Sequence, residues 1–272
     1  LPFRQRWGMA FWNLVFFNHL RFAPNPQQDA EWNRGAYLAE PLGHCAECHT
    51  PRDIGFGLKS GKALSGEVVQ GWFAGNITPD KQTGIGGWTD AQLSQFLAVG
   101  HAEGRSSASG PMAEVVQNST QYLTPEDNAA LVKYLRNIEP VATEASAQVN
   151  LQPEGAVNSS AILPASATQS QGQQLFAGDC SGCHLWNGAG RQTPYASLKG
   201  STAVNDPQGR SVVQAILRGS HLNVKDQVLM MPGFGDKYSD EEVAAVANYV
   251  LRQFGDKQGT VTAKQVAEQR KN

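Results

Sequence analysis

The chain has 272 residues, room for two domains of ordinary size, each with its own core. Acidic side chains number 24 and basic ones 22, for a formal charge of −2; with no Lys/Arg cluster, this balance excludes a nucleic-acid-binding surface. No apolar run approaches the roughly 18 residues that span a bilayer, so a soluble or membrane-peripheral chain is expected.

Residues 1–30 read as an apolar lead-in. Trp7, Phe11, Leu14, Val15 and Phe16 fall near helical spacing, and Phe3, Trp12, Phe17 and Phe22 add aromatic surface. Such a surface needs cover, from the chain's own domains or a neighbouring one, or from a membrane interface or partner. The sequence opens at Leu1, and this stretch has no small-residue cleavage site. A secretory leader is expected to have been removed or to lie outside this sequence.

Residues 31–139 are expected to form a first domain. Gly35-Ala36-Tyr37-Leu38 reads as a short helix with a small residue and an aromatic on its packing face. It leads into Cys45-Ala-Glu-Cys48-His49, a motif that returns as Cys180-Ser-Gly-Cys183-His184; the two use every cysteine in the chain. Cysteines at i and i+3 project from one helical turn, so their sulfurs can add to the two vinyl groups of one porphyrin, and the next residue, histidine, reaches the iron. Two covalently bound c-type haems, with His49 and His184 as axial ligands, are therefore expected. A thioredoxin-like redox pair or a disulfide would not require the histidine. The halves of a four-cysteine zinc site are usually about 15–20 residues apart, whereas these lie half a chain apart. Attachment of haem to such motifs belongs outside the cytoplasm, which predicts a periplasmic protein.

The sixth iron position separates electron transfer from catalysis. Methionine closes the site and raises the potential; an open site admits peroxide or oxygen. Met112, in Ser109-Gly110-Pro111-Met112-Ala113, lies in a Gly/Pro turn ahead of the last helix of the domain, the place for a distal sulfur. His101 and His221 are rival donors that would give a low-potential bis-histidine site, while His44 points elsewhere on the turn. Arg52, close behind the first motif, is placed to meet a haem propionate. Trp72, Asn76 and Trp88 occupy a Gly-rich region that should wrap the haem edge, as propionate donors or as packing. Thr124-Pro125-Glu126-Asp127 opens a helix with an N-cap and proline at its first position, and Ala130, Leu131, Tyr134 and Leu135 form its apolar stripe.

Residues 140–171, rich in Ala, Ser, Gln, Asn and Pro, read as an extended linker. Residues 172–255 repeat the first domain's plan. Gly172-Gln-Gln-Leu175-Phe176 precedes the second motif, and Ser239-Asp240-Glu241-Glu242 caps a final helix striped by Val243, Val246, Tyr249 and Val250. Tyr134 and Tyr249 should be core contacts between the first and last helices of their domains. Met230 and Met231 are adjacent ligand candidates, Met231 favoured by the proline that follows it. Residues 256–272 read as a polar tail in which Ala263 to Arg270 forms a short exposed helix.

Larger motifs carry a resemblance over nearly the whole length. Asn33-Arg34-Gly35-Ala36-Tyr37-Leu38, Gly43-His44-Cys45 through Cys48-His49-Thr50-Pro51-Arg52, Asn76-Ile77-Thr78-Pro79-Asp80, Gly84-Ile85-Gly86-Gly87-Trp88 and Gly110-Pro111-Met112-Ala113-Glu114-Val115-Val116 resemble the second haem module of the cytochrome c subunits of bacterial membrane-bound dehydrogenases. These subunits serve complexes that oxidise alcohols, gluconate, fructose, glucose and aldehydes. Asn187-Gly188-Ala189-Gly190, Met231-Pro232-Gly233-Phe234 and Ser239-Asp240-Glu241-Glu242 are similar to their third module. The resemblance implies an all-α chain of two class I-type cytochrome c domains that transfers electrons and makes no bonds itself. It implies a catalytic subunit carrying a quinone, flavin or molybdenum cofactor as donor, and ubiquinone or a terminal oxidase downstream, at the periplasmic face of the inner membrane. The catalytic subunit would select the substrate. Two departures matter. The family has three modules and this sequence two, with Arg6 to Phe22 resembling the connector that follows a first module, so a leading haem domain is expected ahead of it. The proline that the family places two residues before Leu198 is Ala196 here, with Pro194 nearby, so the resemblance does not supply the carbonyl that orients His184. A free-standing di-haem carrier and a di-haem peroxidase share the haem count; the peroxidase needs one iron without a strong sixth ligand.

Overall fold

In a computed structural model the described residues are 6–17, 20–143, 170–206, 208–255 and 260–271. Two helical modules repeat one plan. In the first, α2 (Ala30–Tyr37), capped by Asp29, crosses α6 (Pro125–Asn137), capped by Thr124. A Cβ on Gly35 would lie 2.0 Å from the Ala130 carbonyl oxygen and 2.8 Å from Tyr134 Cβ, so only glycine permits this crossing. In the second, α7 (Gln171–Leu175) crosses α10 (Asp240–Phe254) at Gly172, where a Cβ would lie 2.1 Å from the Ala245 carbonyl oxygen and 3.1 Å from Tyr249 Cβ. The two tyrosines thus stand at equivalent crossings, as their stripes predict.

Each opening helix then runs into a π-helical turn, Leu38–Leu42 or Phe176–Cys180, and on into the motif helix, α3 (Cys45–His49) or α8 (Ser181–His184). Further helices are α4 (Asp90–Val99), α5 (Pro111–Asn118) and α9 (Arg210–Arg218). The chain is mainly helical, with one correction to an all-α expectation. Among the described residues there are three short antiparallel hairpins: β1 (Glu67–Val69) with β2 (Trp72–Ala74), β3 (His101–Ala102) with β4 (Ser106–Ser107), and β5 (Ser220–Val224) with β6 (Gln227–Met231). The first lies against α3, the second against α4 and the third against α5.

The lead-in forms α1 (Arg6–Phe16), one side of which docks on the loop behind the first motif. Trp12 Nε1 donates to the Gly55 carbonyl at 2.8 Å, and a Cβ on Gly57 would fall 2.3 Å from the Phe16 ring. Its other side stays in the open: Trp7, Phe11 and Leu14 are 77%, 69% and 79% exposed.

Both ends of the expected linker and the tail behave differently from their composition. Residues 144–169 of the linker lie outside the described residues, but its start is tied down, since Val141 N–H donates to Thr78 Oγ1 (3.1 Å) and Thr143 N–H to Thr83 Oγ1 (3.2 Å). The expected polar tail contains α11 (Ala263–Gln269), which is packed rather than exposed. Thr262 and Gln265 form its capping box, Val261 and Val266 are buried in the second core, and Arg270 reaches Asp240 and the Gly235 and Tyr238 carbonyls, each at 2.5 Å. Two valines among polar neighbours suffice to bury one face of so short a helix, and composition hides them.

The modules do more than share a linker. Ala108, Ala113 and Val116 of the first and Leu222 and Val224 of the second form one buried cluster, flanked by Phe96, Val99, Met112, Tyr195 and Leu229. Around it, Asn223 N–H donates to Gln117 Oε1 (2.9 Å), Lys225 N–H to Gln121 Oε1 (2.8 Å) and Phe73 N–H to Ser211 Oγ (3.1 Å). The Arg210 guanidinium lies 4.5 Å from the Phe73 ring centroid. Truncating a buried leucine costs about 2–5 kcal/mol, and Leu222 is 2% exposed. Leu222→Ala should lower unfolding stability by about 2–4 kcal/mol in denaturant titration. A loss below about 0.5 kcal/mol, the scale of a surface substitution, would mean that this contact does not form in solution.

Candidate functional site

The short α3 follows His44, whose φ of 49° starts the helix sharply. Its last residue, His49, has Nδ1 2.7 Å from the Gly75 carbonyl oxygen. In the second module His184 Nδ1 lies 2.6 Å from the Ala196 carbonyl oxygen. A carbonyl only accepts, so Nδ1 carries the hydrogen in both rings, and each Nε2 is left with a bare lone pair. Burial lowers both imidazole pKa values and keeps the rings neutral, the form that binds a metal. The Ala196 carbonyl therefore takes the place that the missing proline left open. Neither carbonyl is legible in the sequence, because a backbone acceptor leaves no residue-type signature.

All four cysteines are free. Burial pushes the Cys45 and Cys180 thiols up to about 11, opposite to the lowered thiol pKa of a redox-active CxxC pair. Among the described residues no group of three or more Cys, His, Asp or Glu side chains could hold a metal ion, so the two pairs do not combine into a zinc site. What remains in each module is two free sulfurs on one turn with a neutral, oriented imidazole beside them. That donor set fits a covalently attached haem.

The other candidate residues fall into place around these turns. Met112 sits in the first turn of α5 behind Gly110, whose φ is 52°. Trp72 packs its ring there, 2.4 Å from where a Gly110 Cβ would be, and so supports the turn that carries Met112. Met230 and Met231 point to opposite faces of β6: Met231 shares the half-buried face with Leu229, while Met230 and Val228 are 74% and 73% exposed. His221 is exposed opposite Met230, and His101 is buried between the modules against Tyr195.

One of the residues expected to meet a propionate has its hydrogen bonds elsewhere. Asn76 Nδ2 gives its two hydrogens to Thr83 Oγ1 (3.0 Å) and the Val141 carbonyl (2.7 Å), and Oδ1 accepts from Thr78 N–H and Oγ1, both at 2.8 Å. Nothing is left to donate; Asn76 instead braces the loop beside Gly75. Trp88 is buried in the first core, edge-on to Phe96 at 5.7 Å. Arg52 stays beside the motif, with Nη1 donating to the Phe56 carbonyl (2.9 Å) and Nη2 paired with the Glu47 carboxylate.

Sequence comparison agrees with this geometry. The cytochrome c family model matches residues 33–139 and 169–253, the two stretches that carry the motifs. The chain belongs to the cytochrome c family. It is 32% identical to the fructose dehydrogenase cytochrome subunit of Gluconobacter japonicus over 99% of this chain and 58% of that protein. It is also 32% identical to the gluconate 2-dehydrogenase cytochrome c subunit of Pantoea cypripedii, over 100% of this chain and 63% of that protein. The cytochrome c subunit of the quinone-dependent alcohol dehydrogenase of Gluconobacter oxydans is 30% identical over 99% and 58%, respectively. The chain thus spans about six-tenths of the length of these relatives.

Within this cytochrome fold, the Asn76 network gives a discriminating test. Asn76→Ala leaves the Thr78 and Val141 backbone groups short of partners, a loss of about 1–3 kcal/mol. Denaturant unfolding should show that loss. A propionate donor would behave differently, shifting the first haem's potential with little cost in stability.

Proposed function

We propose that this chain is a di-haem electron-transfer cytochrome c that takes electrons from the catalytic subunit of a periplasmic dehydrogenase and passes them toward ubiquinone or a terminal oxidase. The observation that carries this reading is the pair of histidines, each at the end of a free CxxC turn and each fixed by a backbone carbonyl with Nε2 left for iron. Haem c, when bound, supplies a one-electron iron couple. Cys45 and Cys48 would hold the first group and Cys180 and Cys183 the second, with Met112 and Met231 as the sixth ligands. A sulfur ligand in each module leaves no open coordination position, which argues against the peroxidase reading. The protein's own task is then to keep each histidine neutral and oriented, to exclude water, and to hold the modules together through their common core. Bond chemistry belongs to the catalytic partner, whose quinone, flavin or molybdenum cofactor would be the electron source; the relatives named above are cytochrome subunits of dehydrogenases. Mixed with a matching dehydrogenase and its substrate, the two-haem protein should be reduced rapidly in stopped-flow absorbance. Alone it should oxidise no alcohol or sugar and bind no carbon monoxide. Peroxide turnover by the isolated chain would move the assignment to a peroxidase, and absence of reduction by any of these dehydrogenases would favour a free-standing carrier.

The same reading puts the protein on the periplasmic face of the inner membrane, with α1 as the contact. Between Arg6 and Gln28 there is no acidic residue, while Arg6 and Arg21 are basic. Trp7, Phe11 and Leu14 face outward from this helix, the pattern of a helix lying in an anionic lipid interface. Among the described residues no helix is long and apolar enough to cross a membrane. The holoprotein should co-sediment with vesicles containing phosphatidylglycerol, and Phe11→Ser/Leu14→Ser should release it. Retention by the dehydrogenase instead of the vesicles, lost in the same variant, would assign the surface to the catalytic subunit.

A further inference from the structure

The three-residue turn Pro194–Ala196 links the second iron site to the first module. Its last residue supplies the carbonyl that holds His184 at 2.6 Å. The residue before it, Tyr195, leaves the second module altogether. The Tyr195 hydroxyl donates to the Val99 carbonyl at 2.7 Å, at the end of α4. Its ring packs against His101, tilted by 40° with centroids 4.9 Å apart, and its own carbonyl accepts from Ser107 Oγ at 3.3 Å. Ser107 Oγ in turn lies 2.9 Å from His101 Nδ1, so these contacts form one connected set in the β3–β4 hairpin. On the opposite side the turn is backed by Gly190, where a Cβ would come within 2.8 Å of Ser197 N and 3.0 Å of the Ala196 carbonyl carbon. The turn is therefore held between its own module and three anchors in the other.

We propose that Tyr195 is a positioning residue through which the first module sets the hydrogen bond on His184, and with it the potential of the second haem. The proposal rests on the two-haem reading above. The physical chain is short. A carbonyl held close and in line with Nδ1–H draws that proton, makes the imidazole a stronger donor to iron and favours the ferric state. Releasing the anchors lets the turn relax away, lengthens the His184–Ala196 bond and raises the potential. Desolvation lifts the Tyr195 phenol pKa, which keeps its proton on the oxygen and its bond to Val99 in place.

The test uses the whole two-haem protein and substitutions on each side of the contact. Tyr195→Phe keeps the ring on His101 and removes the bond to Val99. Ser107→Ala changes only the first module and removes the bond to the Tyr195 carbonyl. The readouts are the potential of the second haem in a redox titration and the solvent exchange rate of the His184 Nδ1–H proton in NMR. Both variants should raise that potential and speed that exchange by severalfold, while His49 Nδ1–H, held by Gly75 inside the first module, keeps its rate. A fall in melting temperature with unchanged His184 exchange and potential in both variants would overturn the proposal and leave Tyr195 a packing residue. An intact mass that shows a single haem would instead remove the two-haem reading, and the proposal with it.

Discussion

The fold depends on a backbone carbonyl aimed at the Nδ1–H of each motif histidine. A histidine at the end of a four- or five-residue helix has little to hold its ring, because so short a helix is marginal by itself. Each module solves this by bringing a distant loop back over the ring: residues 66–77 over His49, and residues 188–198 over His184. The loops are themselves braced. Gly66 N–H donates to the His49 carbonyl at 2.7 Å, Ile77 N–H to the Leu64 carbonyl at 2.9 Å, and Leu198 N–H to the Gly188 carbonyl at 2.8 Å. Asn76 completes the first loop, and Gly190 and Tyr195 the second. The tautomer of each ring, and so its ability to bind iron, is decided by atoms that do not touch the iron.

Around that constraint the two modules share a frame and differ in detail. Gly35 under Tyr134 and Gly172 under Tyr249 close the same helix crossing, and a π-helical turn precedes both cysteine pairs. The differences lie in what faces the other module. The first presents the β3–β4 hairpin, the ends of α4 and α5, and Phe73. The second presents Tyr195, Thr202, Arg210 and the β5–β6 hairpin, with Asp206, fully buried, holding the Arg210 guanidinium that covers Phe73. Burying an ionised carboxylate is costly unless it is paired, and here four donors from the 208–210 turn and Arg210 meet it.

Much of this was legible from residue spacing. The two CxxCH motifs, the capped helices at Thr124 and Ser239 and the aromatic–glycine crossings follow from local patterns whose periods match helices. The backbone acceptors on Gly75 and Ala196 were not, since any residue type supplies a carbonyl. Asn76 and Trp88 read as haem contacts because polar and aromatic residues in a Gly-rich loop fit that role. The structure gives Asn76 hydrogen bonds within the loop and places Trp88 against the first core. The contact between modules was hidden for another reason: Leu222, Val224 and Val116 look like ordinary strand and helix interiors, and nothing local says that their partners lie across a linker. Val261 and Val266, two apolar residues in a polar tail, fell below the threshold at which composition reveals a packed helix.

One backbone contact carries a consequence for the electron's route. At Gly200, with φ of 66°, a Cβ would lie 2.2 Å from the Gly104 carbonyl oxygen, and Thr202 N–H donates to the Arg105 carbonyl at 3.0 Å. Main chain meets main chain there, with no flexible side chain between to absorb a displacement. A tunnelling rate falls steeply with distance, and in many multidomain carriers that distance is modulated by hinge motion. Were each motif to hold a haem, as proposed, this main-chain contact would leave the separation of His49 from His184 little room to vary, and a transfer step between the modules would not wait on a hinge.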